Sequence, residues 1–526
     1  MRFVRRFTEL REFIREVWSY GLGKAGLVLF FALIAISIAA AATIPPGFES
    51  IWYNLAYWAD YPKLAPPAWV TLFGIPRAHH QVTIVPGPNF APVTTPQLRK
   101  IGYEYMVYSV TYTLREKDFP QGIMIEFIEP PTNLVYYSKT PLMFIVNVTR
   151  PDGYTITVFK GSIAVSQLNT TSIQISSVAL SGIAMLVQKY CHISPAVFQA
   201  KYASNIQESG LYNEFVFGIP VLSHGVLTAK PLTGTYRISM YIAIPNPVIL
   251  RGMVNQPGLS PAAKKIAQQM LHDVEILTTY GIAKEVKFVI IGDCYGFLGT
   301  DMWGRDLAMA IFYGFPIAIL VGFFAAVLSV FIGGIIGVIS GYYGGLIDEA
   351  IQRVIDIVVN IPLLPLLVIV GMIVQTMVSN PWERIFIVIG FLIAFSWGYP
   401  GLMVRSMALS IKAEPYIEAA RAAGASNFRI IFRHIFPQVM PYLFANLVFS
   451  VPAAVLTIAG LNVLGFRFGL VSWGAILSDV RSQMPVSLLA WWWVFPPGLC
   501  LALLSFTFVA LGIAMETVVD PRLRGR

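Results

Sequence analysis

The sequence predicts a polytopic α-helical membrane protein, with six transmembrane helices and a β-rich extracellular domain inserted after the first of them. Three observations predict it. Of the 526 residues, 56% are hydrophobic and only 12% charged, with a mean hydropathy of +0.65, beyond the make-up of a soluble domain. Several charge-free runs reach the ~20 residues that a helix needs to cross hydrocarbon. Between the first of these runs and the others lies 45–298, in which short strand-like runs are separated by turn residues.

The first run, Gly26 to Ile44, follows Arg2, Arg5, Arg6, Arg11, Arg15 and Lys24. A cleaved signal peptide would carry a shorter apolar core and a small-residue cleavage site. The alanines before Thr43 leave that alternative open, and a retained span at 26–44 is the preferred reading. The basic flank then places the segment 1–25 in the cytoplasm and 45–298 outside, by the positive-inside rule.

Five further spans read at about 308–340, 362–379, 385–409, 440–465 and 489–515. Six spans return both termini to the cytoplasm, in agreement with Arg522, Arg524 and Arg526 at the C-terminus. Lys412, Arg421, Arg429 and Arg433, between spans four and five, agree as well. The loop 341–361 runs against the rule, because Asp348, Glu349 and Asp356 outnumber Arg353.

No Asp, Glu, Lys, Arg or His occurs from Leu307 to Ile347, from Ile357 to Trp382 or from Ser482 to Met515. Ion-coupled carriers, pumps and intramembrane proteases keep such groups at membrane depth to carry charge or do acid–base work. The energy for any transport must therefore come from elsewhere. The formal charge of +9 suits cytoplasmic loops facing anionic membrane lipid. It lacks the basic stripe with interleaved aromatics that nucleic-acid recognition requires.

In the outer segment, Tyr103 to Leu114 and Leu142 to Val148 read as strands. Pro151-Asp-Gly153 is a turn signal, and the alternating run Tyr154 to Phe159 completes a hairpin. Gly234 to Ile244 reads as another strand. Ser260 as N-cap, Pro261 at the first helical position, and Ile266, Met270, Val274 and Leu277 in phase predict an amphipathic helix. The expectation is a β-rich domain with one or two helices.

Asn147 with Thr149, and Asn169 with Thr171, form glycosylation sequons in this segment. Cys191, Cys294 and Cys500 offer no C-x-x-C pair, so neither a zinc site nor a redox motif is expected. Outside the cell Cys191 and Cys294 would be free to bridge, and two separate buried thiols are an equal alternative. His79 and His80 are adjacent, so on a strand they point to opposite faces and chelate poorly. No metal and no cofactor is expected.

The loop between spans four and five holds Glu418-Ala419-Ala420-Arg421-Ala-Ala-Gly424-Ala-Ser-Asn-Phe428-Arg429-Ile-Ile-Phe432-Arg433-His-Ile-Phe-Pro437. It reads as two short helices. The first has a small-residue surface and ends at Gly424, where a positive φ is easily adopted. Ser426 or Asn427 caps the second, whose Phe428, Ile431, Phe432 and Ile435 recur at helical spacing on one face, with Arg429 and Arg433 on another. These features alone suit an interfacial helix lying on lipid headgroups equally well.

This stretch resembles the EAA loop of ABC importer permeases, with Glu418-Ala419-Ala420, a glycine six positions after Glu418, and Pro437 closing it. Two further stretches resemble the permease subunits of the dipeptide and oligopeptide (peptide/nickel) importers. Gly299-Thr300-Asp301-Met-Trp-Gly304-Arg305-Asp306 is similar to their signature at the start of the second span. Gly341-Tyr-Tyr-Gly-Gly345, Asp348, Arg353, Asp356 and Ile361-Pro362 match the loop after that span, and Asp520-Pro-Arg-Leu-Arg524 resembles their C-terminus. The resemblance covers 299–526 well and 1–60 weakly. The outer segment is longer than such relatives carry, and Phe466-Arg-Phe stands where a Pro-rich stretch is usual.

The resemblance implies the ABC type I importer permease fold, with a five-helix core at 299–526 whose 411–437 loop is the coupling element that sits in a groove of an ATPase. No G-x-x-x-x-G-K-[ST] loop is present, so ATP hydrolysis falls to other chains and this chain is not an enzyme. The implied partners are a homologous second permease, two cytoplasmic ATP-binding subunits and an extracellular substrate-binding protein. The implied cargo is a peptide or a similar oligomeric solute, with oligosaccharides as the alternative.

Gly333, Gly334 and Gly337 suit close helix crossings. Asn446, Ser450 and Asn462 are polar groups on span five, and Trp491, Trp492 and Trp493 suit an aromatic belt. A receptor merely anchored by its helices would not need five further spans and a coupling loop. A tethered hydrolase would need a nucleophile motif or a carboxylate pair; neither G-x-S-x-G nor H-E-x-x-H occurs, and the Asp and Glu residues of the outer segment leave a carboxylate pair open.

Overall fold

A computed structural model describes residues 15–92, 102–115, 117–484 and 490–519. The basic residues before Arg15 and the Asp520–Arg524 stretch lie outside the described residues. The chain forms two units, one from 1–55 together with 306–526 and the other from 56–305.

The first unit begins with α1 (Gly21–Thr43), which has no apolar stripe because it is apolar all round, as a lipid-facing helix is. Helix α2 (Phe48–Tyr53) buries Phe48 and Trp52.

The second unit follows. Its strands are β1 (Gln81–Val85), β2 (Asn89–Pro92), β3 (Tyr103–Leu114), β4 (Gly122–Ile128), β5 (Leu142–Thr149), β6 (Thr155–Ile163) and β7 (Ile173–Gln174). Four helices come next: α3 (Ala179–Cys191), α4 (Pro195–Lys201), α5 (Ala203–Ser209) and α6 (Tyr212–Val216). Then come β8 (Gly218–Ser223), β9 (Val226–Pro231), β10 (Gly234–Pro245), α7 (Pro247–Val254), α8 (Pro261–Tyr280) and β11 (Glu285–Ile291).

The strands build a five-stranded sheet in the order β2-β3-β10-β5-β6, a four-stranded sheet β1-β11-β4-β7, and the hairpin β8-β9, all with antiparallel pairing. Alternate residues of the two larger sheets meet in one core. Met106, Tyr108 and Val110 of β3 join Phe144, Val146 and Val148 of β5, Ile238, Met240 and Ile242 of β10, and Phe288 and Ile290 of β11. Period-two burial of this kind is what an antiparallel sheet with one covered face gives.

The predicted hairpin forms as β5 and β6, turning at Gly153 with φ 78°. Helix α8 starts where predicted, with the Ser260 Oγ accepting from the Ala263 N–H at 3.3 Å. The helix content departs from the expectation, since the unit carries six α-helices among its described residues rather than one or two. Four of them lie in 179–216; Ala179–Cys191 buries residues at helical spacing, whereas the other three have only 7, 7 and 5 residues, too short to show a helical period.

The chain then returns to the first unit through α9 (Leu307–Tyr343), α10 (Gly345–Asn360), α11 (Leu363–Met377), α12 (Pro381–Ser396), α13 (Gly398–Lys412), α14 (Pro415–Ala422), α15 (Asn427–Ile430), α16 (Phe436–Val463), α17 (Trp473–Ser482) and α18 (Trp491–Val519). Among the described residues, five helical stretches are long and apolar enough to cross a membrane: Gly21–Thr43, Leu307–Tyr343, Pro381–Lys412, Asn427–Val463 and Trp491–Thr517. The sixth is a broken pair, α10 and α11, bent by 75°. At 1.5 Å per residue the 15 residues of α11 fall short of the ~30 Å hydrocarbon core.

Helices α9 and α13 touch backbone to backbone. A Cβ on Gly333, Gly337 or Gly341 would come within 2.4, 2.5 and 2.6 Å of the carbonyl oxygens of Trp397, Gly401 and Arg405. Glycines every fourth residue of α9 thus face every fourth carbonyl of α13, the arrangement that lets membrane helices gain dispersion contact where no hydrophobic effect is available. Gly334 faces Leu443 of α16 instead.

Candidate coupling site

The predicted coupling loop folds from three local signals. Pro415 opens α14 at its first turn, where a missing N–H costs nothing. The helix closes at Gly424, whose φ of 80° lies in the left-handed region that glycine adopts without a Cβ penalty. The Ala425 N–H reaches back to the Ala420 carbonyl at 3.0 Å. Ser426 then caps α15, its Oγ accepting from the Arg429 N–H at 3.4 Å.

From Ile431 to Ile435 the helix widens into a π-turn before continuing as α16. That turn sorts the side chains. Ile417, Ile430, Ile431, Ile435 and Val439 are buried against Val338 and Tyr342 of α9 and Val404 and Ala408 of α13. Phe428 is 71% exposed and Phe432 40% exposed, with ring centroids 4.5 Å apart. The single face expected for Phe428, Ile431, Phe432 and Ile435 is therefore split. The wider turn adds a residue to the helical circuit, so the isoleucines face inward and the two phenylalanines outward.

Glu418, Ala419, Arg429, Arg433 and Pro437 are also exposed, while Ala420 is half-buried. The result is an outward surface of two aromatic rings and two guanidinium groups on an apolar base packed into the membrane helices. Four contacts lock the base. The Tyr342 hydroxyl donates to Asn427 Oδ1 at 2.7 Å. Lys412 Nζ and Arg421 Cζ stand 5.8 and 5.9 Å from the Tyr342 ring, within the range of cation–π attraction. Arg405 of α13 holds Asp348 of α10 through two bonds of 2.6 Å, the bidentate geometry that fixes orientation as well as charge.

From sequence Asn427 reads only as an alternative cap and Asp348 only as a loop residue; the bonds to Tyr342 and Arg405 were not expected. Two signals marked the pair: Asp348 runs against the positive-inside rule, and Arg405 is a charge within span four. They answer one another.

The signature residues sit apart from the loop. Thr300, Asp301 and Arg305 are buried. Thr300 Oγ1 donates to the Pro62 carbonyl at 2.7 Å and accepts from the Ala65 N–H at 3.0 Å. Asp301 takes the N–H groups of Trp303 and Arg305 at 2.9 and 3.0 Å and pairs with the Arg305 guanidinium. Gly299 and Gly304 both have positive φ, and a Cβ on Gly304 would stand 2.9 Å from the Trp58 carbonyl oxygen. Asp306 caps α9, its Oδ1 accepting from the N–H groups of Ala308 and Met309 at 2.8 and 3.3 Å. This stretch is a backbone clasp and a helix cap.

The Cys191–Cys294 bridge is not formed. Each thiol faces a different carbonyl, Cys191 that of Pro220 and Cys294 that of Ala78. Asn169 is exposed in a turn, whereas Asn147 lies within a paired strand and accepts from Thr157 Oγ1 at 2.9 Å. His80 is half-buried, stacked on Tyr61 with Tyr295 edge-on, and burial lowers its pKa. Among the polar groups of span five, Asn462 is turned onto its own helix at the Ile458 carbonyl. Ser450 joins Ser329, Ser396 and Thr457 in a cavity of 150 Å³.

Residues 333–525 match the model of the binding-protein-dependent transport system inner membrane component. The oligopeptide transport system permease protein OppC of Escherichia coli is 37% identical over 230 residues, which is 43% of this chain and 73% of that protein. The dipeptide transport system permease protein DppC of Bacillus subtilis is 33% identical over 229 residues, 43% of this chain and 68% of its own length. The peptidoglycan transport system permease protein YejE of Agrobacterium fabrum is 32% identical over 228 residues, 43% of this chain and 57% of its own length. With the 411–437 loop mounted on apolar spans and these relatives across 43% of its length, the chain belongs to the multi-pass permeases of peptide-type ABC importers.

Proposed function

We propose that this permease forms one of two transmembrane halves of an importer for peptides or comparable oligomeric solutes, and that 411–437 docks on a separate cytoplasmic ATPase. The carrying observation is the two-sided loop. Phe428, Arg429, Phe432 and Arg433 project outward, while Ile417, Ile430, Ile431 and Ile435 are fused to α9 and α13. A partner that grips the outer face and closes on nucleotide has differential contacts in its two states, which is what a conformational drive requires. Arg429 and Arg433 offer cations for acidic groups of that partner.

In this reading both termini and the loop are cytoplasmic and 45–298 lie outside. The remaining partners are a homologous second permease, a second ATP-binding subunit and an extracellular substrate-binding protein, with which the outer domain docks. The DppC and OppC relatives support peptides as cargo, and the YejE relative puts peptidoglycan fragments, which contain sugar as well as peptide, in the same assay. The test is ATP-dependent uptake in proteoliposomes holding the chain with its partner subunits, for wild type, Gly424→Asp and Glu418→Lys. Uptake lost with the complex intact supports coupling; full uptake by both variants overturns it.

A further inference from the structure

We propose that the outer domain dips an apolar finger, Trp69, Leu72, Phe73, Ile75 and Phe297, into the headgroup–acyl boundary of the bilayer. From Leu64 to Pro76 the chain carries no charge, and Lys63 and Arg77 flank it. Within it Ala68–Phe73 forms a 3₁₀ turn ended by Gly74 at φ 76°. Only Val70 of that turn is buried. Leu72 is 83% exposed, Phe73 75% and Phe297 72%, and Ile75 is exposed beside them.

The finger is built. The Trp69 indole N–H donates to the Phe297 carbonyl at 2.8 Å, and the Ala68 N–H to the Gly296 carbonyl at 2.9 Å. The Tyr295 N–H returns a bond to the Pro66 carbonyl at 2.9 Å. Trp69 and Phe73 meet edge to face with centroids 6.0 Å apart. Two chain segments therefore brace each other while Leu72, Phe73 and Phe297 face outward, uncovered by the other described residues.

The tether argues for lipid as the cover. Phe297 stands ten residues before Leu307, the first residue of the span Leu307–Tyr343. Even fully extended, such a connection reaches no more than about 35 Å. It is not extended, because the Gly304 N–H bonds the Asp301 carbonyl at 3.1 Å and the Leu64 N–H the same carbonyl at 2.8 Å. The tether thus keeps the finger within that reach of a span end, and exposed Trp, Phe and Leu form the composition that partitions to the headgroup–acyl boundary. A patch of large apolar side chains left in water would be a liability. The inference rests on the spans alone, so a failed transport assay leaves it standing.

The test places a nitroxide on the full chain in vesicles of phosphatidylethanolamine and phosphatidylglycerol. Cys191, Cys294 and Cys500 are replaced by Ala, and Leu72→Cys, Phe73→Cys and, as a control on an exposed strand residue, Lys160→Cys are labelled singly. Leu72 and Phe73 are exposed, so neither substitution opens the core. Membrane insertion makes oxygen the stronger relaxant at 72 and 73 and a water-soluble nickel chelate the stronger at 160. Nickel-dominated relaxation at all three positions overturns the proposal in favour of a solvated loop. Shielding of 72 and 73 from both reagents overturns it in favour of a protein partner.

Discussion

Gly341 marks how closely the membrane helices depend on single atoms. A Cβ there meets the Arg405 carbonyl oxygen at 2.6 Å, a backbone atom that cannot swing away, so Gly341→Val forces α9 off α13. Overpacking of this kind costs about 1–3 kcal/mol. The expected outcome is a lower melting temperature of the detergent-solubilised chain, and an unchanged melt would show that the two helices are not in backbone contact. A second residue acts through charge. Burial, reinforced by the neighbouring Asp293 carboxylate, pushes the Asp118 carboxyl up to about 6, against the Phe119 N–H and the Arg77 guanidinium. A carboxyl that binds its proton more tightly when folded adds stability below its unfolded pKa near 3.8 and loses it as pH rises through about 6. Wild type should therefore lose outer-domain stability relative to Asp118→Asn between about pH 4 and 6. Melting curves of the full chain at several pH values check the difference, and parallel behaviour of the two proteins would remove the effect from Asp118.

At the scale of elements, the 411–437 loop is fastened to its mount, because Tyr342 of α9 is bonded to Asn427 and packed among the loop isoleucines. Tyr342→Phe keeps the buried ring and deletes a bond to the exposed Asn427, a loss of about 1 kcal/mol. The expected result is a complex that still assembles and hydrolyses ATP but moves less cargo per ATP. Unchanged stoichiometry would mean that motion passes elsewhere. How much of these elements was legible follows from their periods. Tyr103–Leu114 alternates over 12 residues and was read to the residue. Span two is a charge-free run with Asp306 as its cap. The third span could not be read as broken, since Pro362 before Leu363 ends a helix as readily as it starts one. The outward Phe428 and Phe432 were illegible for a different reason. Periodicity assumes 3.6 residues per turn, and the π-turn at Ile431–Ile435 violates that locally. Asp273 was likewise hidden: on the apolar side of α8 it accepts from the N–H groups of Val135, Tyr136 and Tyr137, partners 136 or more residues away that no local pattern announces.

At the scale of the molecule, the outer domain enters and leaves through chain segments that lie side by side. The Asp293 N–H donates to the Ala78 carbonyl at 2.7 Å, and the Thr300 N–H to the Ala65 carbonyl at 2.9 Å. An insertion whose ends already touch adds little closure entropy to its host, so 79–292 can be replaced by a short Gly-Ser linker without pulling span one from span two. The excised segment takes with it β1 to β11 and their shared core, while Trp69, Phe297 and the Thr300–Asp301–Arg305 clasp remain. The expected outcome is a chain that inserts, assembles with its partner subunits and keeps basal ATP hydrolysis, but binds the extracellular substrate-binding protein more weakly and takes up less cargo. Binding is read by titrating that protein onto the reconstituted complex and uptake in the same vesicles. If both match wild type, the outer domain has no docking role; if assembly itself fails, the domain is part of the permease fold rather than an addition to it. The Gly424→Asp variant separates these cases from a defect in coupling, because it should lose uptake while retaining wild-type affinity for the binding protein.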